Sequence, residues 1–127
     1  MDDDFNWAED LPEECPPSDA RKPNNEVYYR LVSVFPPSEK DFWSHRKIFP
    51  KRIFKTSECI ARACSLSSTL KYCQDLTKLP GFVDKQKIVE IKLTPSSGLI
   101  KQTGDGKCHF SWWRAHNFNP IPSSKEV

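Results

Sequence analysis

Cys108 and His109 are the one place in this chain where a thiol and an imidazole adjoin. A Cys–His pair can do nucleophilic chemistry, the imidazole taking the thiol proton. Neighbours in an extended strand point to opposite faces, however, so these two cannot serve each other. A working pair has to be assembled by the fold, for example Cys59 or Cys64 with His109. Cys59, Cys64, Cys108 and His109 can also be drawn as a zinc set, but their spacing matches no common zinc module. The five cysteines (Cys15, Cys59, Cys64, Cys73 and Cys108) include no C-x-x-C pair. They read as free, mostly buried thiols, with no metal expected. The four glycines build neither a P-loop nor a dinucleotide fingerprint. The acidic residues beyond position 20 are scattered and form neither a carboxylate pair nor a nuclease-like cluster.

Contact chemistry is better represented. His45 to Lys55, HRKIFPKRIFK, interleaves Arg46, Lys47, Lys51, Arg52 and Lys55 with Ile48, Phe49, Ile53 and Phe54. Cations on phosphates and rings stacked on bases are how single-stranded nucleic acid is held. The plainer alternative is a loop pinned to the core by its apolar residues, its charges in water. Trp112 and Trp113 stand in the densest aromatic cluster of the chain. Exposed there, they would anchor a partner. These two, with Arg46, Lys47, Lys51 and Arg52, are the expected binding residues.

The elements that must position these groups follow from periodicity. Glu26 to Phe35 is rich in β-branched and aromatic residues and reads as a strand, with Tyr28, Arg30, Val32 and Val34 on one face. Pro36-Pro37 ends it, and Ser38 with Asp41 forms a carboxylate version of the capping box for a short helix. Ser57 caps another short helix. Cys64 to Ser67 is either the end of that helix or a short strand. Thr69 to Leu79 carries Leu70, Cys73, Leu76 and Leu79 at helical spacing and stops at Pro80-Gly81. Lys87 to Arg114 then reads as a three-stranded antiparallel meander, with turns at Pro95–Gly98 and Gly104–Gly106. Its first strand alternates Ile88, Glu90 and Lys92 with Val89, Ile91 and Leu93. Its last places His109, Ser111 and Trp113 opposite Phe110, Trp112 and Arg114. The expected fold is α+β: a small antiparallel sheet, made of this C-terminal meander plus the early strand, packed on one or two short helices.

One order of parts has a counterpart. Arg30 on an early strand, then Ser65-Leu66-Ser67, a helix, and a strand-rich second half resembles compact ADP-ribosyltransferase-like domains. The resemblance implies NAD as cofactor, Arg30 at its phosphates, Ser65 and Ser67 shaping the nicotinamide pocket, and His109 in the cleft. The family carries a glutamate on its late strand, where this chain has His109-Phe110-Ser111-Trp112-Trp113. The other account of Ser65 and Ser67 is that they cap a helix.

Charge divides the chain. Residues 1–20 hold eight acidic residues and no Lys or Arg, leaving nineteen basic against nine acidic residues beyond them, a formal +10. The acidic arm either folds over the body, or keeps a polyanion-binding body soluble, or is simply a solvated tail. Trp7 either docks on a partner or tucks onto the chain's own body. Residues 1–25 are thus expected as an extended acidic arm, 26–114 as one globular domain, and 115–127 as a tail held by Phe118 and Ile121. No apolar run is long enough for a membrane span. The start of the chain lacks the apolar core of a signal peptide, which points to the cytoplasm. The function expected is that of a small cytoplasmic binding module needing no cofactor. Its partner is a protein, a larger assembly or, through residues 45–55, a nucleic acid. The ADP-ribosyltransferase-like, NAD-using or degenerate domain is the alternative.

Overall fold

The computed structural model describes residues 5–127. Its frame is a six-stranded antiparallel sheet built from β1 (Glu26–Val32), β2 (Cys64–Ser67), β3 (Lys87–Leu93), β4 (Gly98–Gln102), β5 (His109–Arg114) and β6 (Ser124–Glu126). The strand order is β4-β5-β2-β1-β3-β6. The helices are short: α1 (His45–Ile48), α2 (Glu58–Ala61) and α3 (Leu70–Leu76). The class is therefore α+β, with a larger sheet than the meander plus one strand. Cys64 to Ser67 resolves as a strand and lies at the centre of the sheet, between β1 and β5.

The consecutive meander is not formed. β4 and β5 pair as a hairpin, but β3 pairs with β1 and β6 instead of β4. Alternation marks a segment as a strand and fixes its buried face; it carries no information about which neighbour takes its edge. Four inter-strand steps separate β3 from β4, roughly 19 Å in a flat sheet. The link between them is a 3-10 turn, Pro95–Ser97, with one residue before it. Such a link reaches only about 13 Å. The sheet must therefore curl until its two ends approach. Accordingly, Tyr28, Leu66, Val89, Ile91, Leu93, Ile100 and Trp112, from five strands, form one buried cluster inside the curl. Phe118 and Ile121, expected to hold the C-terminal stretch, pack on that cluster. The same stretch supplies β6.

The capping signals are realised. Asp41 and Ser38 form the capping box of a 3-10 turn, Glu39–Phe42. Ser57 accepts from Ile60 N–H at the start of α2. At the start of α3 the cap is Thr69, accepting from Tyr72 N–H, where the spacing puts the first helical residue. α3 packs on β1 and β2. Leu79 lies past its end and is exposed.

The chain before β1 lies against the body. Trp7 bridges to Ala115 and Arg21 to Ile100. Glu9 accepts from the amide and hydroxyl of Ser44 at 2.9 and 2.5 Å, and Asp19 pairs with Lys101 at 3.0 Å. Cys15 and Cys59 form a disulfide. This corrects the expectation of five free thiols. Two cysteines so far apart in sequence meet only because the arm folds back over α2, which no local pattern announces. Cys64, Cys73 and Cys108 remain free. No helix among the described residues is long and apolar enough to cross a membrane.

Candidate functional site

Tyr29, Ser67 and His109 face one another directly across β1, β2 and β5. Directly opposed residues of an antiparallel sheet point to the same side, so the three form a row on one face. α3, the 80–85 segment and His45 rise beside that row and enclose a cleft of about 210 Å³. Tyr72, Cys73 and Leu76 line it from α3, Phe82 and Lys85 from the following segment, and Arg30, Leu31, Ser65 and Leu66 from the sheet. Arg30, Ser65, Ser67 and His109, singled out from the order of parts, thus come together in one cavity.

Arg30 is 8 % exposed. Its Nε donates to the Asp41 carbonyl at 2.9 Å and its Nη1 to the Ser65 carbonyl at 2.6 Å, while the ring of Phe42 lies 5.9 Å from the guanidinium. No carboxylate pairs with it among the described residues. The Asp41 carboxylate is turned to Ser33 and Ser38 instead, at 2.8 to 3.3 Å. Burial works to raise the Asp41 pKa, but those hydrogen bonds outweigh it and hold the carboxyl below its ordinary value. Among the described residues, Arg30 is therefore held by carbonyl dipoles alone, and no protein group bonds its Nη2.

The other titratable groups feel that charge. Burial, then Arg30, holds the Lys85 pKa down. His45 retains exposed surface, yet partial desolvation against the cleft, then Arg30 and Lys85, lowers its pKa too. Burial likewise lowers His109. The His109 Nδ1 lies 3.2 Å from the Thr103 carbonyl, which can only accept. The Thr103 hydroxyl, 3.1 Å from the same Nδ1, can either accept or donate; in the tautomer with the proton on Nδ1, the Nε2 lone pair is left as an acceptor. No Asp or Glu lines the cleft among the described residues. The result is a half-open pocket with an apolar wall (Leu31, Leu76, Phe82) and a positive end.

The two serines differ. Ser67 exchanges hydrogen bonds with the Thr69 backbone, its hydroxyl donating at 2.8 Å and accepting at 3.1 Å. It secures the turn into α3, though the helix cap itself is Thr69. The Ser65 hydroxyl has no such use. Cys73, on the helix wall, is pushed up to about 11 by burial and is an inert thiol at neutral pH. Burial also raises Cys64.

The residues expected at a contact surface fare differently. Trp112 and Trp113 are 0 % and 1 % exposed, with their indoles donating to the carbonyls of Ser97 and Cys59. They are interior and cannot anchor a partner, because the curl covers one face of β5 and the α2 region the other. Arg46 pairs with Glu58 at 2.9 Å, and Lys47 lies 4.6 Å from the centre of the Trp43 ring. Lys51 and Arg52 stay at the surface.

Compared with protein-family models, with curated proteins and with solved structures, the chain matches none.

Sequence reasoning missed Tyr72, Phe82, Lys85 and His45 as cleft residues. The spacing of Tyr72 and Leu76, one turn apart on α3, was the only available signal. Lys85 gave none.

Proposed function

We propose that this chain binds a phosphate-bearing nucleotide of the NAD type in the cleft over β1, β2 and β5, as an ADP-ribosyltransferase-like domain. What carries this proposal is the buried guanidinium of Arg30, without a carboxylate partner among the described residues, at one end of an apolar pocket that also gathers Ser65, Ser67 and His109. A phosphate would accept from Arg30 Nη2 and relieve the repulsion between Arg30 and Lys85, as charge-assisted hydrogen bonds to phosphate require. The apolar wall suits a flat ring. About 210 Å³ is smaller than the roughly 300–1,000 Å³ typical of drug-sized ligands. The cleft therefore takes one half of a dinucleotide and leaves the other on its open side.

His109 stands on the late strand beside Ser67, in the part of the chain where the family carries its glutamate. A neutral imidazole with a free Nε2 can accept from a ribose hydroxyl, as a carboxylate would, but brings no negative charge to steady a developing cation. Binding is thus the primary function proposed, and any transfer of ADP-ribose would depend on His109.

Titration calorimetry with NAD and ADP-ribose tests this. Loss of a charge-assisted hydrogen bond costs about 1.5–3 kcal/mol, so Arg30→Ala is expected to weaken binding roughly ten- to a hundred-fold. Because Arg30 also ties β1 to Ser65, Lys85→Ala serves as the second variant, with the melting temperature as the check on folding. Absence of binding by the native protein at millimolar NAD and ADP-ribose would overturn the proposal, as would equal affinity in both variants.

A further inference from the structure

The loop leaving the cleft has charges and rings that the nucleotide pocket does not use. His45 lines the cleft and stacks on Phe54, centroids 6.2 Å apart and planes at 14°. From there the chain runs through Phe49-Pro50-Lys51-Arg52-Ile53 over the surface, with Ile53 95 % and Phe49 38 % exposed. The Arg52 guanidinium sits 3.7 Å from the centre of the Phe49 ring, and that of Arg46 lies 4.7 Å from the Phe54 ring. On the side of Arg46 and Lys47 the loop meets its own acids: Glu9 and Asp10 share a surface hollow with both, and Glu58 pairs with Arg46. Lys51, Arg52 and Lys55 form no ion pair among the described residues.

We infer that residues 49–55 are a second binding site, for the backbone and bases of a single-stranded nucleic acid that comes up against the cleft at His45. Three cations without carboxylate partners suit a run of phosphates. The layered Arg52–Phe49 pair offers a flat polarisable plane on which an unstacked base can lie. This stretch presents no helix or strand to enter a duplex groove, which favours a single strand. An acidic peptide would use the cations but leave the stacked plane without a purpose. The site lies outside the lining around Arg30 and Lys85, so it stands or falls apart from the NAD proposal.

Fluorescence anisotropy of a labelled ten-nucleotide single strand, on the full chain at low salt, tests it. Affinity is expected to fall as salt rises. Lys51→Glu with Arg52→Glu should weaken binding at least tenfold and flatten the logarithmic salt slope by about 1.4, two contacts at roughly 0.7 each. Phe49→Ser keeps every charge; it should lose roughly tenfold on the oligonucleotide, in line with one lost stacking contact, and nothing on heparin. NAD affinity should be unchanged in all these variants. Failure to bind the strand at 50 mM salt overturns the inference. So does a Phe49→Ser protein that binds it undiminished, or polyglutamate competing as well as the strand, since either makes the loop a general polyanion surface.

Discussion

His109 is held by its surroundings as a neutral base, and this has a consequence for stability. Its folded pKa lies below the ordinary histidine value because burial penalises the imidazolium, and the same holds for His45. The unfolded chain therefore binds protons that the folded one refuses. Stability is full above an unfolded pKa of about 6.5 and is lost as pH falls through the folded values. The melting temperature is expected to drop between about pH 7 and 5, and His45→Asn with His109→Asn should remove that part of the fall. A drop unchanged in the double variant would show that other groups cause it. Asp41, held below its ordinary value by Ser33 and Ser38, gives a further loss at lower pH. Arg30 shows what was legible at this scale: an arginine in line with valines on a strand reads as either at a sheet edge or paired inside a cleft, and here its partners are carbonyls and no carboxylate among the described residues. Only the carbonyls of Asp41 and Ser65, brought from distant parts of the chain, decide for the cleft.

At the level of elements, the turn into β4 is where the fold has least freedom. Gly98 has φ +132°, and a Cβ added there would sit 2.1 Å from the Trp113 carbonyl oxygen. No side-chain rotation relieves a clash between Cβ and backbone. Gly98→Ala is expected to cost roughly 3 kcal/mol, which lowers the melting temperature of a chain this size by about 10 °C. Gly106→Ala, with nothing within 4 Å of its added Cβ, should change it little. Calorimetric melting of both compares the two directly, and equal melting temperatures would refute the tight approach of β4 to β5. The hairpin of β4 and β5 was readable because its turn is local. The partners of β3 were not, because they lie some sixty residues before it and some thirty after.

Taken as a whole, the molecule is a curled sheet strapped by its own N-terminal segment. The Cys15–Cys59 bridge spans 44 residues of sequence, and closing a loop of that length removes unfolded-state entropy worth about 4 kcal/mol. Reduction, or Cys15→Ser with Cys59→Ser, should therefore lower the melting temperature by about 15 °C. Equal melting with and without reductant would mean that the arm holds through its other contacts, Glu9 on Ser44 and Asp19 on Lys101. Among the described residues the arm's carboxylates meet the body at Ser44 and Lys101, Asp10 accepts from Arg62 through its backbone carbonyl, and Lys51, Arg52 and Lys55 pair with none of them.

Local pattern in the sequence was enough to mark β1, β3, β4 and β5 as strands, though it left β2 open between helix and strand and took β6 for a tail. It also put Val89, Ile91 and Leu93 on a shared buried face, started helical turns at Ser38 and Ser57, and concentrated cations among rings in residues 45–55. Each depends on neighbours a few residues apart, so local periodicity and capping chemistry suffice. Tertiary structure alone decided that β3 would leave β4 for β1 and β6, that Trp112 and Trp113 would be interior, that Cys15 would meet Cys59, and that Lys85 and Tyr72 would join Arg30 and His109 at one cleft. Those outcomes follow from the curl of the sheet and the return onto it of the segments before β1 and after β5. A pairing between remote segments is set by the total burial the whole chain can reach, and no local pattern records that.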